Sequence, residues 1–143
     1  MTTADNTAIY RRWFEEGWGR GKVDLVDELY SHDYVTHALG PDFPPTREGL
    51  KMFTGAFREG FPDLSCAVED VIADGNRVAG RLTLRGTHRG TLLGIPATGK
   101  QVMVTATVIA RFDGAGKWAE DWANWDQFGM LQQLGVIPAP AAV

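Results

Sequence analysis

The chain changes its hydrophobic period once, near Leu64, and that change limits the folds open to it. Before Leu64, apolar residues recur three and four positions apart, the period of an amphipathic helix. After it, they alternate every second residue, the period of a half-buried strand. Helices first and antiparallel strands afterwards predict an α+β domain, with the helices packed on one face of the sheet. If the long strands bend, helices and sheet enclose a cone. The inward strand positions of such a cone would carry any chemistry.

Residues 5–18 read as the first helix, with Ile9, Tyr10, Trp13, Phe14 and Trp18 on its apolar stripe. Gly17, Gly19 and Gly21 break it, and Val23, Val26 and Leu29 mark a short second helix. Residues 34–37 predict a brief strand, and 40–45, rich in Pro and Gly, a loop. Thr46 suits an N-cap for a third helix carrying Leu50, Phe53, Ala56 and Phe57, which Gly60 and Pro62 end. Strands follow at 65–73, 76–86, 101–112 and 117–128, with hairpin turns at Asp74-Gly75 and 113–116. Residues 90–100 read as irregular. There is no repeat, low-complexity tract or linker, so one domain over 1–143 is expected, with a loosely held tail from about residue 136.

The 143 residues suffice for a sizeable core. Lys and Arg number 14 against 18 Asp and Glu, a net charge of −4 that argues against a nucleic-acid binder relying on a general positive field. No apolar run is long enough for a membrane helix. The first residues lack a basic stretch followed by an apolar one, which predicts a soluble, cytoplasmic protein. The lone Cys66 cannot form an internal disulfide and reads as a buried structural thiol. Five Trp and seven Phe fill a core or line a pocket for a flat apolar ligand.

The segment Glu120-Asp121-Trp122-Ala123-Asn124-Trp125-Asp126 is the most suggestive. Strand alternation puts Asp121, Ala123 and Trp125 on one face and Glu120, Trp122, Asn124 and Asp126 on the other. Small Ala119 and Ala123 flank Asp121 and leave room above its carboxylate. In an apolar cavity that carboxylate becomes a general acid or base working near neutral pH. On the outer face it is a solvated strand residue. Asp126 also suits a cap for a terminal turn. His37 could bond a substrate carbonyl or exchange a proton, or be tied to a neighbouring backbone group. His88 fits a loop role within 86–90. The three histidines lack metal-ligand spacing, so no metal site is expected. Arg81 and Arg85 read as a solvated or subunit-interface face.

Three ordered motifs carry a resemblance. They are Gly60-Phe61-Pro62-Asp63; Gly86-Thr87-His88-Arg89-Gly90 running into Gly94-Ile95-Pro96-Ala97-Thr98-Gly99-Lys100; and a Trp and an Asp before Gln132-Gln133-Leu134-Gly135. From about Tyr10 to Gly135 the chain resembles the SnoaL-like polyketide cyclases, or ester cyclases, of the nuclear-transport-factor-2-like superfamily. The resemblance implies a cone of three N-terminal helices on a strongly curved, mostly antiparallel sheet, enclosing an apolar pocket. It implies dimers or tetramers pairing through the sheets. It also implies ring closure by an intramolecular aldol step on a polyketide ester, a small apolar substrate, with no cofactor and no metal. A cavity carboxylate there moves the proton.

The family's last strand commonly reads Glu-His-Trp-Asp-x-x-Asp. Glu120, Trp122 and Asp126 match it, but Asp121 replaces the histidine and Ala123 replaces the acid/base aspartate. Asp121 lies two residues earlier on the same strand face, about 7 Å along the strand, and is the expected substitute. His37 matches a histidine common in the family and is the second catalytic candidate. Trp18 matches the helix-one aromatic that lines family pockets. Trp13, Phe53, Phe57, His88 and Trp125 complete the expected substrate contacts. Two other functions compete with the cyclase or isomerase. One is a protein that binds an apolar metabolite without turning it over. The other is an epoxide hydrolase, for which Asn124 is the nearby polarising candidate, on the opposite strand face.

Overall fold

The computed structural model describes residues 2–138. Helix α1 (Thr3–Arg12) opens with a reciprocal cap: the Thr2 hydroxyl accepts from Asp5 N and the Asp5 carboxylate accepts from Thr2 N. The expected first helix continues to Trp18, but its last part, Trp13–Trp18, is π-helical. The wider turn accommodates the Trp13 ring over Gly17. A Cβ on Gly17 would stand 2.2 Å from Trp13 Cε3. Short α2 (Leu25–Leu29) leads directly into strand β1 (Tyr30–Thr36), and α3 (Arg47–Gly60) follows with Thr46 as its cap. Arg58 on α3 donates to the carbonyls of Trp18, Gly19 and Leu64, tying the end of the π-helical segment to the start of the strands.

Strands β2 (Ser65–Asp74), β3 (Arg77–Thr87), β4 (Gln101–Phe112) and β5 (Trp118–Trp125) form antiparallel neighbours. β1 adds to β5 in parallel, giving an open mixed sheet of order β1-β5-β4-β3-β2. This is the α+β architecture expected from the two periods. Two boundaries differ. β1 begins at Tyr30, four residues before the expected strand, because the chain leaves α2 already extended. β5 stops at Trp125, where a strand to 128 was expected. Asp126 turns its Oδ1 onto Gly129 N at 2.9 Å and starts a further helix, α4 (Gln127–Gln133). The apolar residues Met130 and Leu134 pack inward from this C-terminal segment. Val136 N and Ile137 N both bond to Leu131 O, and the rest of the expected loose tail, 139–143, lies outside the described residues.

The core is rich in aromatic side chains. Tyr10 stacks on Trp118 with ring centres 5.4 Å apart and donates its hydroxyl to Val108 O at 2.8 Å. That bond fixes α1 across the sheet. Gly80 on β3 permits it, since a Cβ there would lie 2.6 Å from the Tyr10 ring and hydroxyl. Among the described residues, no helix is long and apolar enough to cross a membrane.

Candidate functional site

Between the helices and the sheet lies a pocket of about 100 Å³. Trp13, Phe14 and Trp18 close it from the π-helical segment, and Phe53 and Phe57 from α3. Inward residues of β1, β3, β4 and β5, with Ala38, Leu39, Leu50, Phe61 and Leu64, form its remaining walls. The lining is mostly apolar, and among the described residues Asp121 is its only carboxylate. Strand alternation works as expected here: Asp121, Ala123 and Trp125 line the pocket, while Asn124 is exposed on the other face.

Asp121 is 5% exposed. The Tyr34 hydroxyl donates to its Oδ2 at 2.7 Å, Trp118 Nε1 donates to the same oxygen at 3.0 Å, and the Thr36 hydroxyl donates to Oδ1. Burial pushes the Asp121 carboxyl above its ordinary range, because the charged form loses its water. The donated hydrogen bonds from Thr36, Tyr34 and Trp118 oppose that rise without cancelling it. The alternative of a solvated outer-face Asp121 is therefore not what the chain adopts. Tyr34 and Thr36 were not among the expected site residues. Their signal was present: they lie two apart at the end of β1, so their side chains share a face.

Aromatic packing shapes much of the rest of the wall. Trp18 meets Phe53 and Phe57 edge-on at 5.9 and 5.8 Å, and Phe57 meets Trp125 at 5.4 Å. Trp13, Trp18, Phe53, Phe57 and Trp125 are thus brought together around one space.

Both candidate histidines, His37 and His88, lie outside the pocket lining. His37 follows the end of β1 and does not line the pocket. Its Nε2 lies 2.8 Å from Glu120 Oε2, and its ring stacks on Trp122 at 5.3 Å. Arg111 Nε bonds the other Glu120 oxygen at 3.0 Å, and together these partners hold that carboxyl below its usual range. His88 is fully buried but does not line the pocket. Its Nδ1 accepts from Thr98 N at 3.2 Å and lies 3.0 Å from the Thr98 hydroxyl, so the imidazole anchors the irregular 90–100 segment. Cys66 is partly buried, and loss of water pushes its thiol up to about 12. A thiol that high stays protonated and is a poor nucleophile.

The pocket has relatives. Residues 8–134 match the sequence profile of the SnoaL-like polyketide cyclases. The chain is 30% identical over 126 residues to the aklanonic acid methyl ester cyclase DauD of Streptomyces sp. (strain C5), covering 84% of this chain and 76% of that one. Its fold resembles IdmH of Streptomyces antibioticus, a candidate polyketide cyclase, with a TM-score of 0.77 and 30% identity over 94% of this chain and 99% of that one. It also resembles AclR of Streptomyces galilaeus, a candidate hydroxylase, with a TM-score of 0.85 and 26% identity over 98% and 87% of the two chains. A profile match over most of the length, with the pocket and sheet in place beneath it, makes this chain a member of the SnoaL-like polyketide cyclase family.

Proposed function

We infer that the protein is a polyketide cyclase that works by proton transfer, with Asp121 as the acid/base on a ketone or ester held in the aromatic pocket. The observation that carries this reading is a lone carboxylate, buried at the pocket wall and raised in pKa. A carboxylate offers about four acceptor positions, two on each oxygen. Tyr34 and Trp118 occupy Oδ2 and Thr36 occupies one position on Oδ1, which leaves Oδ1 a free position for a substrate proton. In this reading Asp121 takes a proton from a carbon flanked by carbonyls. The resulting enolate carbon attacks a second carbonyl of the same molecule and closes the ring. Asp121 then returns the proton to the new alkoxide. Tyr34, Trp118 and Thr36 hold the carboxylate in one orientation throughout, so the chemical step need not reorient it.

A pocket of about 100 Å³ is smaller than the roughly 300–1,000 Å³ usual for drug-sized ligands. The part of the substrate that enters is one ring in size, with the rest lying outward. The epoxide-hydrolase reading needs a water between carboxylates and a polarising amide. Asp121 has no second carboxylate beside it in the lining, and Asn124 faces the other way. The binding-only reading is favoured by one observation, Ala123 at the position of the family's usual aspartate. The outer sheet face carries exposed Ile72, Met103 and Ile109, which supports pairing of two copies through their sheets.

The test is incubation of the wild type and Asp121→Asn with polyketide esters and fused-ring ketones, followed by native mass spectrometry and chromatography of the released compounds. A rearranged isomer formed by the wild type and absent with the variant supports the cyclase. Recovery of every bound compound unchanged supports binding only.

A further inference from the structure

The proposed proton transfer uses Asp121 and its three donors but leaves one pocket group unexplained. Four buried side-chain atoms among the described residues lack a hydrogen-bond partner: Asn6 Oδ1, Tyr30 Oη, Thr54 Oγ1 and His88 Nε2. Only Tyr30 belongs to the pocket lining. A buried hydroxyl without a partner costs stability, so each such group needs an explanation.

The Tyr30 ring is fixed on three sides. Trp118 stacks on it at 4.7 Å, Tyr34 meets it edge-on at 4.7 Å and Trp13 edge-on at 5.6 Å. At 2% exposure, within that packing, the ring has no room to carry its hydroxyl out to water. The neighbouring hydroxyls of Tyr34 and Thr36 are already committed to Asp121. A carbonyl oxygen brought into this lining needs a donor, and Asp121 as a carboxylate only accepts.

We propose that Tyr30 is a ligand-binding residue whose hydroxyl donates to a carbonyl oxygen of the substrate, so that the pocket selects ketones and esters over hydrocarbons of the same shape. The proposal rests on the cyclase reading and adds to it the group that holds the reacting carbonyl. Burial, with Tyr34 and Asp121 close by, keeps the Tyr30 phenol well above its ordinary range, so it remains a donor. When Asp121 takes the proton from the adjacent carbon, the C–H electron pair moves into the new C=C bond and charge develops on the carbonyl oxygen. The Tyr30 hydrogen bond strengthens at that moment and no proton leaves the phenol.

The test uses the full chain, the Tyr30→Phe variant and two probes of matched shape, acetophenone and α-methylstyrene, titrated by protein-observed NMR. The expected result is that Tyr30→Phe weakens acetophenone binding about fivefold and leaves α-methylstyrene binding unchanged. Urea unfolding of the ligand-free variant should show undiminished stability, because the oxygen removed had no partner. Equal acetophenone affinity in both proteins, an equal loss for both probes, or a destabilised variant overturns the proposal. If the wild type binds both probes and Tyr30→Phe changes neither, the pocket reading stands and Tyr30 alone is removed. If the wild type binds neither, both fall.

Discussion

Thr36 and Asp121 are register partners across the parallel β1–β5 pair, and the Thr36 hydroxyl donates into the Asp121 carboxylate. The contact joins the edge strand to the pocket wall. The register slips between Tyr30 and Val35, which inserts extra residues into β1 relative to β5. Within that excursion Tyr34 reaches the other carboxylate oxygen. The site is thus held by a strand pairing that joins residues more than 80 positions apart.

The raised Asp121 pKa sets a pH dependence of stability. The folded carboxyl keeps its proton at a pH where the unfolded chain, with the ordinary value of 3.8, has lost its own. Stability from this group is therefore full below that value and falls as pH rises through the folded pKa. Urea unfolding from pH 4 to 8 should show the wild type losing stability relative to Asp121→Asn as pH increases. Parallel curves for the two proteins would mean that the carboxyl is not raised.

Removing either hydroxyl donor should raise the Asp121 pKa further and cost stability once the group is ionised. Thr36→Val and Tyr34→Phe each delete a hydrogen bond to a charged acceptor, worth about 1.5–3 kcal/mol. Denaturant midpoints at pH 8 would measure the loss. At a pH low enough to protonate Asp121, the difference from wild type should shrink.

Gly80→Ala should destabilise by about 1–3 kcal/mol through overpacking. The new methyl meets both the Tyr10 ring carbon Cε1 and the Tyr10 hydroxyl at 2.6 Å, and Tyr10 is pinned by Val108 O and Trp118. Thermal unfolding would read the change directly.

Trp18→Ala and His37→Ala should separate the pocket from the outer face. Trp18 lines the pocket beside Phe53 and Phe57, so its truncation should weaken binding of an aromatic ketone several-fold. His37 is engaged with Glu120 and Trp122 outside the pocket, so its removal should leave that affinity unchanged. Calorimetric titration of both variants checks the contrast.

Local periodicity and turn chemistry made much of this protein legible before folding. The helical stripe through Phe53 and Phe57, the alternation placing Asp121, Ala123 and Trp125 on one face, and the Asp126 cap all depend on neighbours a few residues away. Such features are set by backbone geometry, which is the same wherever the segment lies in the chain. What the two faces of β5 meet is a different matter. Alternation alone left the Asp121 face pointing either to water or to a core. Packing of α1, its π-helical extension and α3 over that face decided for the core. His37 read as a catalytic candidate and His88 as a substrate contact, because side-chain chemistry is visible in sequence and partners are not. Glu120 lies 83 residues from His37, and Thr98 lies 10 residues from His88 across an irregular loop. Tyr34 and Thr36 escaped notice for the converse reason. A hydroxyl on a short strand acquires a role only when a parallel pairing, with a slip that no local pattern encodes, sets it beside a carboxylate some 85 residues on. The sequence by itself determined most of the elements and their apolar faces, because those are short-range properties of the chain. The tertiary structure decided which polar groups share the pocket, because hydrogen bonds and burial depend on distances that only the folded chain closes.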